Sequence, residues 1–154
     1  MFLVTGVGTL LPKKRLRQAD PQRITRSLDQ MQLQDIKFAG KNHVEAYGDM
    51  GFRMNGGRIE GSILILPGVV KAFEATIHAD LDVALMAPVF AALDDIEIMI
   101  LGTGETQNFP DADFRKSFVD NNIALEVMDT GAACRTYNIL VSEDRRVAAA
   151  LIAI

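Results

Sequence analysis

Cysteine occurs once in the 154 residues, tryptophan never and histidine twice. A single Cys134 excludes an intrachain disulfide and any cysteine-rich metal site, and the expectation that follows is a reducing compartment. His43 and His78 share no cluster with other ligand-type residues, so no metal site is expected. No apolar run approaches the ~20 residues that would span a bilayer. A basic excess is missing too: the net charge is −4, and the basic residues are not interleaved with aromatics, which speaks against nucleic acid as a partner.

Charge is nevertheless unevenly placed. Residues 1–26 carry six basic groups against Asp20 alone, while the remainder is acidic. The apolar opening Met1–Leu11 has its basic cluster after it, the reverse of a secretory signal. Residues 1–34, with Pro12 and Pro21 and no sustained periodicity, read as a loosely ordered basic arm with a short helix near Ile24–Met31. Residues 35–154 read as one domain, a length that suits a single core.

Within that domain, Asp35–Ala39 and His43–Tyr47 alternate as half-buried strands do. Phe52-Arg53-Met54 meets Asn55-Gly56-Gly57, whose Asn-Gly pair supplies the positive φ angles of a tight hairpin. The return strand is expected to run from Arg58 through Leu66, beginning with one wet face and ending covered on both. Val69–Ala75 reads as another short strand. Leu81, Leu85, Val89 and Leu93 recur at helical spacing, with Pro88 setting either a kink or a helix start.

The stretch Ile96–Ile154 organises the rest, reading strand, glycine loop, helix, strand, helix, strand. Strands at Ile96–Leu101 and Ile123–Met128 end in polar loops, Gly102-Thr103-Gly104 and Asp129-Thr130-Gly131. Parallel strands joined by helices place such loops on one rim, where open α/β sheets bind ligands. The fold expected is therefore α/β, a three-layer domain around a mixed sheet, with a C-terminal βαβαβ unit and an antiparallel hairpin region before it.

The segments Gly61–Pro67, Ile100–Gly104, Val127–Leu140 (with Met128-Asp129-Thr130 and Arg135-Thr136-Tyr137-Asn138) and Arg145–Leu151 resemble a small domain-of-unknown-function family. That family occurs in bacteria and archaea and includes a mitochondrial assembly factor of respiratory complex I. The resemblance covers about residues 35–154 and implies a three-layer α/β fold. It also implies a non-enzymatic role through protein partners such as respiratory-complex subunits or assembly factors. Location would be cytoplasmic, or the mitochondrial matrix in a eukaryote, and a homo-oligomer is compatible with it.

The residues themselves suggest an alternative, a small-anion or nucleotide-binding domain, or an uncharacterised enzyme, using the loops after the parallel strands. The candidate pocket comprises Gly102, Thr103, Gly104, Thr130 and Arg135, with Asp129 and Cys134 as secondary candidates. Helix-start amides would receive the anion and Arg135 would supply a charged fork. The bland counterpart is that Arg135 pairs with Asp129 or Glu105 and fastens the loops. A dinucleotide reading is weak, because Gln107 stands where the third glycine belongs and Asp129 lies 27 positions past Gly102. Cys134 in a helix's first turn lacks a neighbouring base and reads as a small buried residue. No paired carboxylates, triad or cofactor motif argue for catalysis, so no cofactor is expected and the enzymatic reading is the less favoured one.

Overall fold

The computed structural model describes residues 36–37 and 40–154 of the chain. The basic arm, its short helix, and Asp35, Phe38 and Ala39 of the first expected strand lie outside the described residues. Among the described residues nine strands form two sheets. The larger has the order β1-β6-β5-β9-β7-β8, built from β1 (Ile36–Lys37), β6 (Val69–Ala72), β5 (Ile63–Leu66), β9 (Val147–Leu151), β7 (Ile98–Gly102) and β8 (Ala124–Met128). The smaller is the meander β2 (Val44–Gly48), β3 (Gly51–Met54), β4 (Gly57–Glu60). The α-helices among the described residues are α1 (Ala87–Phe90), α2 (Ala112–Asp120) and α3 (Thr130–Ser142).

β7 runs parallel to both β8 and β9, while β5 pairs antiparallel with β9 and β6. The sheet is thus mixed, with the βαβαβ unit at its C-terminal half, as the sequence suggested. Side-chain alternation along the central strands divides the interior into two cores. Ile63, Ile65, Ile100, Val147, Ala149 and Leu151 face α3 and the three-stranded sheet, where they meet Phe52, Met54, Cys134 and Tyr137. Leu64, Leu66, Met99, Leu101, Ala148 and Ala150 face the other way, onto Met86, Val89, Phe114 and Phe118. This double covering is why β5 and β9 are continuous apolar runs rather than alternating ones.

Two expectations need correction. Arg58–Leu66 is two strands, not one: after β4 the chain breaks at Gly61, whose φ of +79° is the left-handed region, and passes from the small sheet to the large one. Ser62 secures the crossing, its Oγ accepting from the Ala153 N–H at 3.0 Å and its carbonyl from Phe73 N–H at 2.9 Å. The Leu81–Leu93 pattern does not form one helix. It is two 3-10 turns around the four-residue α1, which begins at Ala87 with Pro88 in its first turn, as the helix-start alternative has it, and Leu93 is exposed. Pro88 stands in the first turn, where its missing N–H costs no helical bond, and it cannot donate back into a longer helix running from Leu81, so the periodic stretch is split.

The other helix starts follow side-chain caps. The Asp111 carboxylate accepts from Phe114 N–H at 2.7 Å, so α2 starts at Ala112 and Pro110 lies just outside it. Asp129 does the same for Ala132 N–H at 2.8 Å at the head of α3.

Candidate functional site

The loops after β7 and β8 do leave the same rim, since Gly102 is in register with Met128 across the parallel pair. They are tied together there. Thr130 is fully buried, and its hydroxyl donates to the Ile152 carbonyl at 2.7 Å while accepting from Gly104 N–H at 3.0 Å. Thr130 N–H in turn donates to the Gly104 carbonyl at 2.8 Å. Thr103 Oγ lies among the carbonyls of Thr106 and Met128 and accepts from Asn108 N–H at 2.9 Å. Gly102 is packed: a Cβ there would come within 3.0 Å of the Ala133 side chain and 3.1 Å of Thr130 Cα.

Of the residues singled out from sequence, Gly102, Thr103, Gly104 and Thr130 are therefore neighbours. Three amides at the start of α3 are already occupied: Thr130 N–H by the Gly104 carbonyl, Ala132 N–H by the Asp129 carboxylate, Ala133 N–H by the Asp129 carbonyl. Arg135 turns elsewhere. One turn beyond the helix start it reaches the small sheet, where its Nη1 donates to the Tyr47 hydroxyl at 3.0 Å rather than to Asp129 or Glu105. Cys134 is buried against the sheet, and that burial pushes its thiol up to about 12. It remains protonated near neutrality and is a poor nucleophile.

Above Thr103 and Gly104 lies an open crevice of about 430 Å³. Its walls come from Met50, Thr76–His78, Asn108 and the chain end Ile152–Ile154. Met50 and Ile77 are more than half exposed on its sides. Met50 is held at φ +59° in the tight β2–β3 turn and donates its N–H to the Ile154 carbonyl at 2.8 Å. A non-glycine residue kept in the left-handed region is uncommon and costs free energy. Here the turn carries an exposed thioether to the rim. Sequence reasoning missed Met50, Ile77 and Tyr47. Asp49-Met50 lacks the Asn-Gly signature of its neighbouring turn, so nothing in the residue types marked it.

Opposite, at the start of β7 and β9, a second cleft of about 300 Å³ opens beside Tyr137, Leu66 and Arg146. Among the described residues no group of three or more histidine, cysteine, aspartate or glutamate side chains is arranged to hold a metal ion. No helix among them is long and apolar enough to cross a membrane.

A mixed sheet with a βαβαβ unit, a three-stranded meander over one face, and rim loops cross-linked by a buried threonine defines a small α/β domain class. The chain belongs to the family described as "Protein of unknown function (DUF498/DUF598)", whose model matches residues 44–152. It is 34% identical over 109 residues to "NADH dehydrogenase [ubiquinone] 1 alpha subcomplex assembly factor 3" of Danio rerio, covering 71% of this chain and 63% of that protein. The Xenopus tropicalis protein of the same name is 33% identical over 109 residues, covering 71% and 60%. The chain thus spans about three fifths of the length of these relatives. Among solved structures, an outer membrane protein from Bartonella henselae superposes with a TM-score of 0.70 at 34% identity, over 75% of this chain and 98% of that one.

Proposed function

We propose that the chain is a non-enzymatic protein-interaction domain that helps assemble a multisubunit respiratory complex, with subunits or assembly factors of NADH dehydrogenase as its partners. The reading places it in the cytoplasm of a prokaryote or the mitochondrial matrix of a eukaryote. One observation carries it: relatives named as assembly factors of NADH dehydrogenase align with this domain at about one residue in three. The chemistry of the rim is in keeping with that reading. The Thr103 and Thr130 hydroxyls, the Thr130, Ala132 and Ala133 amides and the Cys134 thiol are engaged within the fold or buried, whereas Met50 and Ile77 offer exposed apolar contacts. Apolar side chains ringed by polar ones suit protein contacts.

Affinity purification of the tagged chain from native cells, with mass spectrometry, tests the reading. NADH dehydrogenase subunits or their assembly intermediates are expected to be enriched, and deletion of the gene is expected to lower assembled complex on native gels. Normal complex levels in the deletion strain, with no such subunit enriched, would overturn it.

A further inference from the structure

The cleft at the far end of the sheet, remote from the Thr130 loops, contains a polar group the fold leaves unused. Tyr137 is 3% exposed. Its ring belongs to the core beneath α3, and it lines the cleft of about 300 Å³ between Asn42, the Pro67-Gly68 turn and the Arg145–Val147 segment. No hydrogen bond is made by its hydroxyl among the described residues, yet no fully enclosed side-chain oxygen or nitrogen lacks a partner. The hydroxyl must therefore open onto the cleft. A buried tyrosine hydroxyl normally finds a partner, and leaving one unmade costs free energy.

The remaining lining is ordered by polarity. Leu66, Pro67, Val141 and Val147 supply apolar wall, and Lys41, Arg145 and Arg146 stand against Asp95 and Asp144 at the rim. Lys41 is held by Asp144 at 2.9 Å. Arg145 gives Nε to Glu97 at 2.6 Å, and Arg146 gives Nη1 to the Asp94 carbonyl at 2.7 Å and Nη2 to Glu97 at 3.4 Å. A guanidinium has five N–H donors in a fixed fork, so Glu97 anchors one edge of each arginine and leaves most donors over. Such forks suit a carboxylate. The volume is at the lower end of the range for small-molecule sites and about ten times what one water occupies.

We propose that this cleft binds a small organic anion with an apolar body, its carboxylate taken by Arg145 and Arg146 and a second polar group received by the Tyr137 hydroxyl. Burial raises the Tyr137 phenol above its ordinary range, so the group stays protonated as a donor at physiological pH.

The test is a titration of the ¹⁵N-labelled full chain, followed by NMR, with 3-(4-hydroxyphenyl)propionate, with 3-phenylpropionate, and with the neutral amide of the first. Saturable shifts are expected at Asn42, Gly68 and Val147, with the amide weaker than the acid. The hydroxylated acid should bind about fivefold more tightly than the unhydroxylated one, the scale of a single hydrogen bond. Tyr137→Phe should erase that preference with the rest of the spectrum unchanged, and NOEs from the bound ring to Tyr137 in the native chain give a reading independent of the variant. Absence of saturable shifts with all three probes would overturn the proposal. Shifts centred elsewhere, or a hydroxyl preference that survives in Tyr137→Phe, would do the same.

Discussion

Thr130 shows what one hydroxyl can hold together. It bridges the loop after β7 to the residue following β9, and with its own amide it closes a two-way link to Gly104. Thr130→Val keeps the shape but strands a buried amide and a buried carbonyl. A loss of about 2–4 kcal/mol is expected in urea denaturation, with Thr130→Ser recovering most of it. Gly102→Ala forces a methyl against Ala133 and the Thr130 backbone and should cost about 1–3 kcal/mol in the same assay. At Cys134, native protein should react with a thiol reagent at pH 8 far more slowly than protein in urea, because burial keeps the thiol protonated.

Among the elements, α3 is the part on which the most depends, and Asn138 is its fastening. Its side chain accepts from Val44 N–H and donates to the Val44 carbonyl, both at 2.8 Å, so it completes the ladder that the outer edge of β2 would otherwise leave open. Asn138→Ala should destabilise the protein by about 2 kcal/mol and speed hydrogen exchange in residues 44–60 more than in β7 or β9.

Much of this level could be read in advance. The Asn55-Gly56 hairpin, the capped α2 and α3, and the parallel strands all declare themselves through turn chemistry and local periodicity. The break at Gly61 could not, because a strand that changes sheets and one that continues share the same apolar pattern. Nor could the direction of Arg135, which depends on Tyr47, 88 positions away. Adjacency of the glycine loop and Thr130 follows from strand order. That their donors satisfy each other becomes visible only once Ile152 is placed beside them.

For the molecule as a whole, stability should fall at both ends of the pH range for identifiable reasons. The Glu97 carboxyl is held below its ordinary value, first by the hydrogen bond from Arg145 and then by the charges of Arg145 and Arg146. Its contribution is present above the unfolded carboxylate value and lost as pH falls through the folded one. Glu97→Gln should flatten the acid limb of a melting-temperature profile. Cys134 and Tyr137 act at the other end. Both are raised by burial, so they ionise more readily in the unfolded chain, and stability should decline as pH rises from about 9.0 toward about 12. Cys134→Ala should lessen that alkaline decline.

The run Ala148-Ala149-Ala150 occupies the middle of β9, wholly enclosed, with each successive methyl turned toward the opposite core. A narrow central strand of this kind works as a party wall between two rooms. Widening it at Ala149 crowds only the compartment beneath α3, while widening it at Ala150 crowds only the one beneath Phe114 and Phe118. Ala149→Val and Ala150→Val are thus a matched pair for loosening either half of the domain at will. Comparing partner capture by the two variants would tell which side of the wall the partner leans on.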